Sequence, residues 1–571
     1  MNAPTKLQAA EPSDPIASGR DAMAAGDFST AAALFHSRAA ADLSDYEARY
    51  WLYSALYAGG EVDAAGGILD EARNLHAFAV LRALDVDVAR IRTDRGYCAE
   101  VGDKLRGMHL MAAAAQCLGR ALNFDEPDLD LMLGYGFAIQ HQGRVQEAID
   151  VFTAAAEIFD VQQIRQLLFF LLFHVDDRMN RISQEVRSWA KQFASVDTPS
   201  NSAFPNKRSS DRRLRIGYVA PSFTGNQITP STAPVLESHD PEAVEVFVYC
   251  LDPTKEDAFP KHCRLRAIAN ISDKDVAEMV RKDRIDILVD LWGPSAGSRL
   301  GMFAYRPAPI QFGWMNFTQS TGLACMDYVM HADSLEVPGT EAYFTEEIWR
   351  TGEIMAPYRP SADRLPPSPT PALANGYITF GSFNNPIKLS EPTIAAWGAI
   401  LSNDPTHRLI LKYKYFVDPV LQRVTQARLA AYGVRPEQVE FRGHSIGVSY
   451  SREFQDIDLA LDPSPAPGGT TTCDAISNGV PVLILKGDDY YARLGLPLLL
   501  PCGLSELVAE SWDDYVTRAL ELTSDVAALN ALRGRIRPGF DNSAYRDEVG
   551  FTRRLEADYR KMFDRWLEAS A

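Results

Sequence analysis

Apolar positions recur along this chain in two different rhythms. From about residue 15 to residue 195 they fall at helical spacing, and a glycine-led pattern returns: "GDFSTAAALF" from Gly26, "GEVDAAGGIL" from Gly60 and "GRVQEAIDVF" from Gly143. Each places an alanine five residues after its glycine, at Ala31, Ala65 and Ala148, and the first two glycines stand 34 residues apart. Counting 34 residues back from Gly143 reaches His109, with Ala114, Leu118 and Ala121 at the matching offsets. The 49 residues from Gly60 to His109 imply one irregular unit. Beyond residue 212 the rhythm changes to short apolar runs between helical stretches: "LRIGYVA", "VEVFVYCL", "IDILVDLWG", "PIQFGWM" and "DYVMHAD". After a Pro-rich break at 357–376 come "YITFGSF", "HRLILKYKY", "VEFRG", "IDLALD" and "VPVLIL".

The first rhythm has the tetratricopeptide period. Small alanines let paired helices approach, and the glycine permits the turn between them. The expectation is a tetratricopeptide-like α-solenoid over 15–195 whose concave groove suits a protein partner. Residues 196–212 read as a polar linker, and the alternation that follows predicts a parallel sheet with helices on both faces. Two such blocks, 213–372 and 373–571, predict two doubly wound α/β lobes with ligands at the carboxyl ends of their strands. The last stretch, "YRDEVGFTRRLEADYRKMFDRW", has helical spacing and is expected to return to the first lobe.

Composition narrows the function. A net charge of −18 argues against a large nucleic-acid footprint. Seven scattered cysteines without a C-x-x-C pair argue against a disulfide or zinc framework. The start lacks a signal-peptide core, and "LLFFLLF" at 167–173 is too short to span a bilayer, so the expectation is a soluble, cytoplasmic protein without membrane insertion.

The stretch "IDLALDPSPAPGGTTTCDAISNGV" carries the chemistry. Gly468 and Gly469 admit a ligand close to the backbone, while Thr470, Thr471 and Thr472 bring hydroxyls and N–H groups to the start of a helix, where a phosphate is favoured. Asp474 is placed in that helix's first turn, to accept from ribose hydroxyls or to stabilise the helix end. The loop is no Walker A motif.

This stretch, followed by "ARLGLPLLLPCGLSELVAES" and "LRGRI", resembles the carboxyl-terminal half of family-41 glycosyltransferases, the O-GlcNAc-transferase type. "LRIGYVAPSFTGN", "RPAPIQFGWMNFTQSTG" and "ITFGSFNNPIKLSEPT" follow that family in order, and the resemblance covers nearly all of 212–565. It implies a GT-B fold behind the helical array and an inverting transfer from a nucleotide sugar to Ser or Thr of a protein, with no cofactor and no metal. It also implies that Lys388 acts on the diphosphate, with Asn385 as its polar neighbour, and that the Gly468–Thr472 turn and Asp474 hold phosphate and ribose. In "GNQITPS", Asn226 is a donor-binding candidate and Gln227, standing where the family carries histidine, is a catalytic candidate beside Lys388. Gly293, Pro294 and Ser295 replace a Gly-His-Thr of many bacterial members, and Gly469 replaces another histidine. His331 and His444, each at a strand end, are further candidates. The missing imidazoles favour a CMP-linked nonulosonic acid such as pseudaminic acid as donor and flagellin as acceptor, as in the bacterial branch that glycosylates flagellin. The alternatives are UDP-GlcNAc as donor, or an inactive solenoid scaffold.

Overall fold

The computed structural model describes residues 14–122, 126–175, 177–194, 204–251, 259–295, 297–315 and 318–569. Their contacts form two units: residues up to Ala138 with Ile394–Gly443, and Ile139–Thr393 with His444–Ala571.

Helices lead the chain: α1 (Pro15–Ala24), α2 (Phe28–Ala41), α3 (Tyr46–Ala58), α4 (Val62–Ala83), α5 (Arg95–Gly107), α6 (Met111–Leu122), α7 (Leu129–Gln140), α8 (Val145–Ile158), α9 (Gln162–Leu172) and α10 (Arg178–Phe193). The repeat is visible in the backbone. Gly26, Gly60 and Gly143 have φ of 75°, 87° and 78°, the left-handed conformation that glycine adopts without strain. His109, which takes the glycine's place in the third copy, is forced to φ 64°. Ala31, Ala65, Ala114 and Ala148 are all fully buried where the helices meet. The irregular unit is explained by the 22-residue α4 and a 3-10 turn at Arg90–Arg92.

In the first unit the array does not stand alone. Tyr50 and Tyr53 of α3, Ala65 and Ala72 of α4 and Ala112 of α6 share a core with Val420, Val424 and Ala427 of the helix Pro419–Ala430. Asp418 secures this packing: its carboxylate accepts from Val420 N (2.9 Å) at the start of its own helix and from Ala112 N (2.8 Å) at the start of α6. One buried group thus caps two helix starts. Ser54 Oγ adds a bond to the Ala427 carbonyl at 2.9 Å. Part of the surface expected to be open to a partner is therefore occupied by the chain itself.

The first sheet contains β1 (Leu214–Ala220), β2 (Val244–Cys250), β3 (Arg264–Ala267), β4 (Ile287–Asp290), β5 (Ile310–Gly313), β6 (Tyr328–His331) and β7 (Glu347–Arg350), in the order β3-β2-β1-β4-β5-β6-β7. All pairs are parallel, as in Ile216 opposite Ile287 and Val289 opposite Phe312. Later in the chain come β8 (Thr379–Ser382), β9 (Arg408–Lys412), β10 (Val439–Arg442), β11 (Leu459–Leu461), β12 (Val482–Leu485) and β13 (Val508–Ala509). Within the second unit β8 pairs with β11, β11 with β12 and β12 with β13, all parallel, and in the first unit β9 pairs with β10. Two parallel-sheet lobes behind a helical array make the GT-B-type architecture. Residues 196–203 of the expected linker lie outside the described residues, while Asn206 and Arg212 both bond the buried Asp286, at 2.7 Å each. The helix Glu548–Ala569 returns to the first sheet, where the Tyr559 and Tyr218 hydroxyls meet at 3.1 Å.

Burial pushes the Asp418 carboxyl up to about 6, against an ordinary value near 3.9, so the folded state binds its proton more tightly than the unfolded chain. Its ionisation therefore opposes folding, and stability falls as pH rises between about 4 and 6, by roughly 2–3 kcal/mol for this group. Relative to Asp418→Asn, whose side chain carries no charge, the wild type is expected to lose stability across that window; denaturant titrations at pH 4, 5, 6 and 7 measure the difference.

Candidate functional site

Parallel sheets gather loops at the carboxyl ends of their strands, and ligands bind where neighbouring strands are not consecutive in sequence. Two such places occur here: β1 beside β4, and β8 beside β11. The candidate residues follow these strands.

Lys388 ends the 3-10 turn Pro386–Lys388 after β8, and Asn385 caps that turn by accepting from Ile387 N at 3.3 Å. The Lys388 Nζ donates to the Pro467 carbonyl at 2.7 Å, which brings it to the Gly-Thr turn. Burial pushes its ammonium pKa down, and the carboxylate of Asp462 opposes that shift. Asp462 immediately follows β11. Its own pKa is raised to about 6, chiefly by burial, with Lys388 pulling it back. It accepts from Gly468 N (2.8 Å) and from Asn384 Nδ2 (3.0 Å), and Asn384 Oδ1 accepts in turn from Thr471 Oγ1 (3.1 Å). Asp462 and Asn384 thus brace the turn from beneath. Neither is among the residues read from sequence, although a carboxylate closing the apolar run "IDLALD" just before two glycines was a usable signal.

The two glycines differ in kind. A Cβ on Gly468 would lie 2.2 Å from Thr472 Oγ1 and 2.7 Å from Asp462 Oδ1, so no side chain fits. A Cβ on Gly469 would meet nothing within 4 Å. The helix Thr470–Ser477 starts immediately after it with no side-chain cap, so its first N–H groups are the turn's offer to an anion. The Thr472 hydroxyl is buried beside Asp462 and favours that group's ionised form. Asp474 requires a correction: because the helix begins at Thr470, it is the fifth residue and lies beyond the first turn. Its carboxylate accepts from Tyr358 Oη (2.7 Å) and Tyr450 Oη (3.1 Å); burial raises its pKa, and the two phenols oppose the rise.

Across the turn, Gln227 follows β1, and its carbonyl accepts from Thr470 Oγ1 at 3.4 Å. Between these walls is a cavity with an empty volume of ≈ 840 Å³ including its mouth, lined by Gln227, Trp314, Thr318, Gly469, Thr470 and Cys473 among others. Its mostly apolar lining, with a few polar groups such as Gln227 and Thr470, is of the kind that holds small-molecule ligands. The Asn226 side chain is engaged in its own loop, donating to Ser222 O (2.8 Å) and accepting from Ile228 N (3.1 Å), so it shapes the wall.

His331 is buried at the end of β6. Its Nε2 donates to Thr318 O at 3.0 Å, its ring packs against Phe344 and Tyr490, and burial pushes its pKa down to about 4. This imidazole is engaged in holding the cavity wall. His444 is exposed and does not line the cavity. The acidic pair Asp456 and Asp458 resembles a metal motif in sequence, but Asp458 accepts from Thr379 N (2.7 Å) and Ala372 N (2.9 Å) and serves the fold. Among the described residues no cluster of metal-ligating side chains is present, and no helix is long and apolar enough to cross a membrane.

The family model described as glycosyl transferase family 41 matches residues 190–348 and 369–554. A rice protein (Oryza sativa subsp. japonica) called a probable UDP-N-acetylglucosamine–peptide N-acetylglucosaminyltransferase SPINDLY is 34% identical over 423 residues, 72% of this chain and 45% of that protein. The Arabidopsis thaliana protein of the same description called SEC is 27% identical over 368 residues, 62% of this chain and 37% of its own. The chain spans less than half the length of these curated relatives. Among solved structures, a mutant of the Thermobaculum terrenum O-GlcNAc transferase superposes with a TM-score of 0.76 at 27% identity, over 98% of both chains.

The glycine geometry sets an internal control. Gly468→Ala is expected to destabilise the fold by about 1–3 kcal/mol through overpacking, whereas Gly469→Ala should change stability by no more than about 0.5 kcal/mol. Chemical denaturation of the two variants compares them directly.

Proposed function

The chain belongs to glycosyl transferase family 41, and from that premise we propose that it transfers N-acetylglucosamine from UDP-N-acetylglucosamine to Ser or Thr hydroxyls of a protein, with inversion. The observation that carries this reading is the convergence of Lys388, Pro467 and the uncapped start of the helix Thr470–Ser477 around Asp462. A diphosphate leaving group needs positive charge and N–H donors where its own charge builds, and these elements supply both. The lysine's bond to Pro467 O uses one of its three N–H donors.

The acceptor hydroxyl attacks the anomeric carbon; the bond from that carbon to the diphosphate oxygen breaks, its electron pair leaves with the nucleotide, and the hydroxyl proton is released to water or to a phosphate oxygen of the donor. Gln227 can orient a polar group by donating or accepting, but it cannot take up the hydroxyl proton near neutral pH. His331 is committed to Thr318, so neither is the base.

The donor reading from the sequence is revised here. Departures at Gln227, Gly293–Ser295 and Gly469 favoured a CMP-nonulosonate and flagellin, but the two plant relatives are described as probable UDP-N-acetylglucosamine–peptide transferases and the solved structure as an O-GlcNAc transferase, which supports the alternative donor. No relative named above supports flagellin, so the acceptor is written only as a protein hydroxyl. Against an inactive scaffold stands the braced Lys388–Asp462 arrangement, which has no purpose in a protein that binds partners through its helices alone.

Lys388→Ala is expected to reduce transfer by a factor of about 10² or more and, because it leaves the buried Asp462 without its cation, to lower stability as well; circular dichroism of the variant checks that the fold persists at the assay temperature. Intact-mass measurement of acceptor proteins incubated with UDP-N-acetylglucosamine or with a CMP-nonulosonate tests the donor. A gain of one N-acetylhexosamine supports the assignment, and a gain with the CMP sugar alone overturns it.

A further inference from the structure

Part of the cavity wall is built from backbone in an unfavourable conformation. Met315 and Thr318 have φ of 66° and 44°, in the left-handed region, although neither is glycine and threonine is β-branched. Such residues persist only where their surroundings over-determine them, and they gather at ligand sites.

Three contacts hold this segment. His331 Nε2 donates to the Thr318 carbonyl at 3.0 Å. Gly322, φ 74°, ends the segment so close to α10 that a Cβ would lie 2.4 Å from the Val186 carbonyl oxygen. The third is Glu346, a 6% exposed carboxylate that takes five neutral donors. Thr321 N (2.7 Å) and Thr321 Oγ1 (2.5 Å) bond one oxygen; Ser320 Oγ (2.7 Å), Thr345 N (3.1 Å) and Thr345 Oγ1 (2.9 Å) bond the other. A buried charge met only by neutral dipoles is stable while all of them point at it, so the arrangement is rigid. The segment so held presents Thr318 at the cavity, and the Thr318 hydroxyl is buried with no partner among the described residues. An unmatched hydroxyl in a wall this carefully fixed points to a group supplied by the ligand.

We propose that Glu346 is a positioning residue, which gathers Ser320, Thr321 and Thr345 so that Thr318 is held in its strained form and its hydroxyl reads a polar group on the sugar of the bound nucleotide donor. The assignment of that group to a sugar rests on the proposed function, in which the Gly-Thr turn takes the phosphates of a donor held in the cavity that Thr318 also lines. Thr318 is then a specificity-determining contact, and Glu346 acts through it.

Two measurements on the full chain separate this inference from the donor reading. Amide hydrogen exchange of the ligand-free protein is expected to quicken by about 10-fold or more over residues 318–322 in Glu346→Gln, with β1 and β4 unchanged; unchanged exchange there overturns the positioning role. Should Glu346→Gln fail to fold, Ser320→Ala removes one donor and must shift exchange in the same direction. By calorimetry, Thr318→Val is expected to weaken UDP-N-acetylglucosamine binding about 10-fold and UDP binding less than about 2-fold. Glu346→Gln should do the same, and the double variant should bind no worse than the weaker single one. Equal losses for both ligands, or additive losses, overturn the inference. A wild type that binds neither ligand refutes the donor reading instead, and exchange then decides the role of Glu346.

Discussion

The carboxylate of Asp462 closes β11 where almost no water reaches it, and what the Gly-Thr turn offers a ligand depends on how that charge is met. Burial favours the neutral acid, yet a backbone N–H from Gly468, the amide of Asn384 and the Lys388 ammonium all favour the ion. The same burial disfavours the charged lysine, so each group stabilises the ionised form of the other. An isolated buried charge is strongly unfavourable, whereas the pair with its hydrogen bonds is tolerated, and its geometry is fixed by the requirement that every partner stay in place. Two strands and one turn are thereby locked into one arrangement, in which Gly468 has no space for a side chain.

The same physics recurs at other joints in the molecule. Asp418 caps two helix starts in the first unit, and Glu346 gathers five donors in the second. In each case a buried carboxylate is matched by dipoles from separated parts of the chain. Each such group is sensitive to the loss of a single donor, because the desolvation already incurred is then no longer offset. The packing held by Asp418 also changes the expectation for the array: around α3, α4 and α6 its surface carries the helix Pro419–Ala430, which leaves less of it open to a partner.

Legibility followed periodicity. The strands β1, β2, β4, β5, β6 and β8 to β12 lie within apolar runs visible in the sequence. β3 escaped because its "RLRA" is polar and partly exposed at a sheet edge, β7 because only its middle two residues are buried, and β13 because it has two residues. The repeat glycines were legible since a left-handed turn selects glycine, and His109 shows that the architecture can impose that turn on another residue. At the site, Lys388 reaches the Gly-Thr turn through Pro467, while Asp474 lies deeper in its helix and His331 and Asn226 serve the walls.

The sequence by itself determined the two rhythms, the repeat, the alternation of strands and helices and the family of the second rhythm, because each is a local pattern of burial or a run of neighbouring residues. Only the tertiary structure decided which carboxylate lies under the lysine, which histidine is engaged in a wall and where the helical array is already occupied. Asp462 meets Asn384 across 78 residues and Asp474 meets Tyr358 across 116. Such meetings follow from the order of strands in a sheet and the return of distant segments, and no periodicity along the chain encodes them.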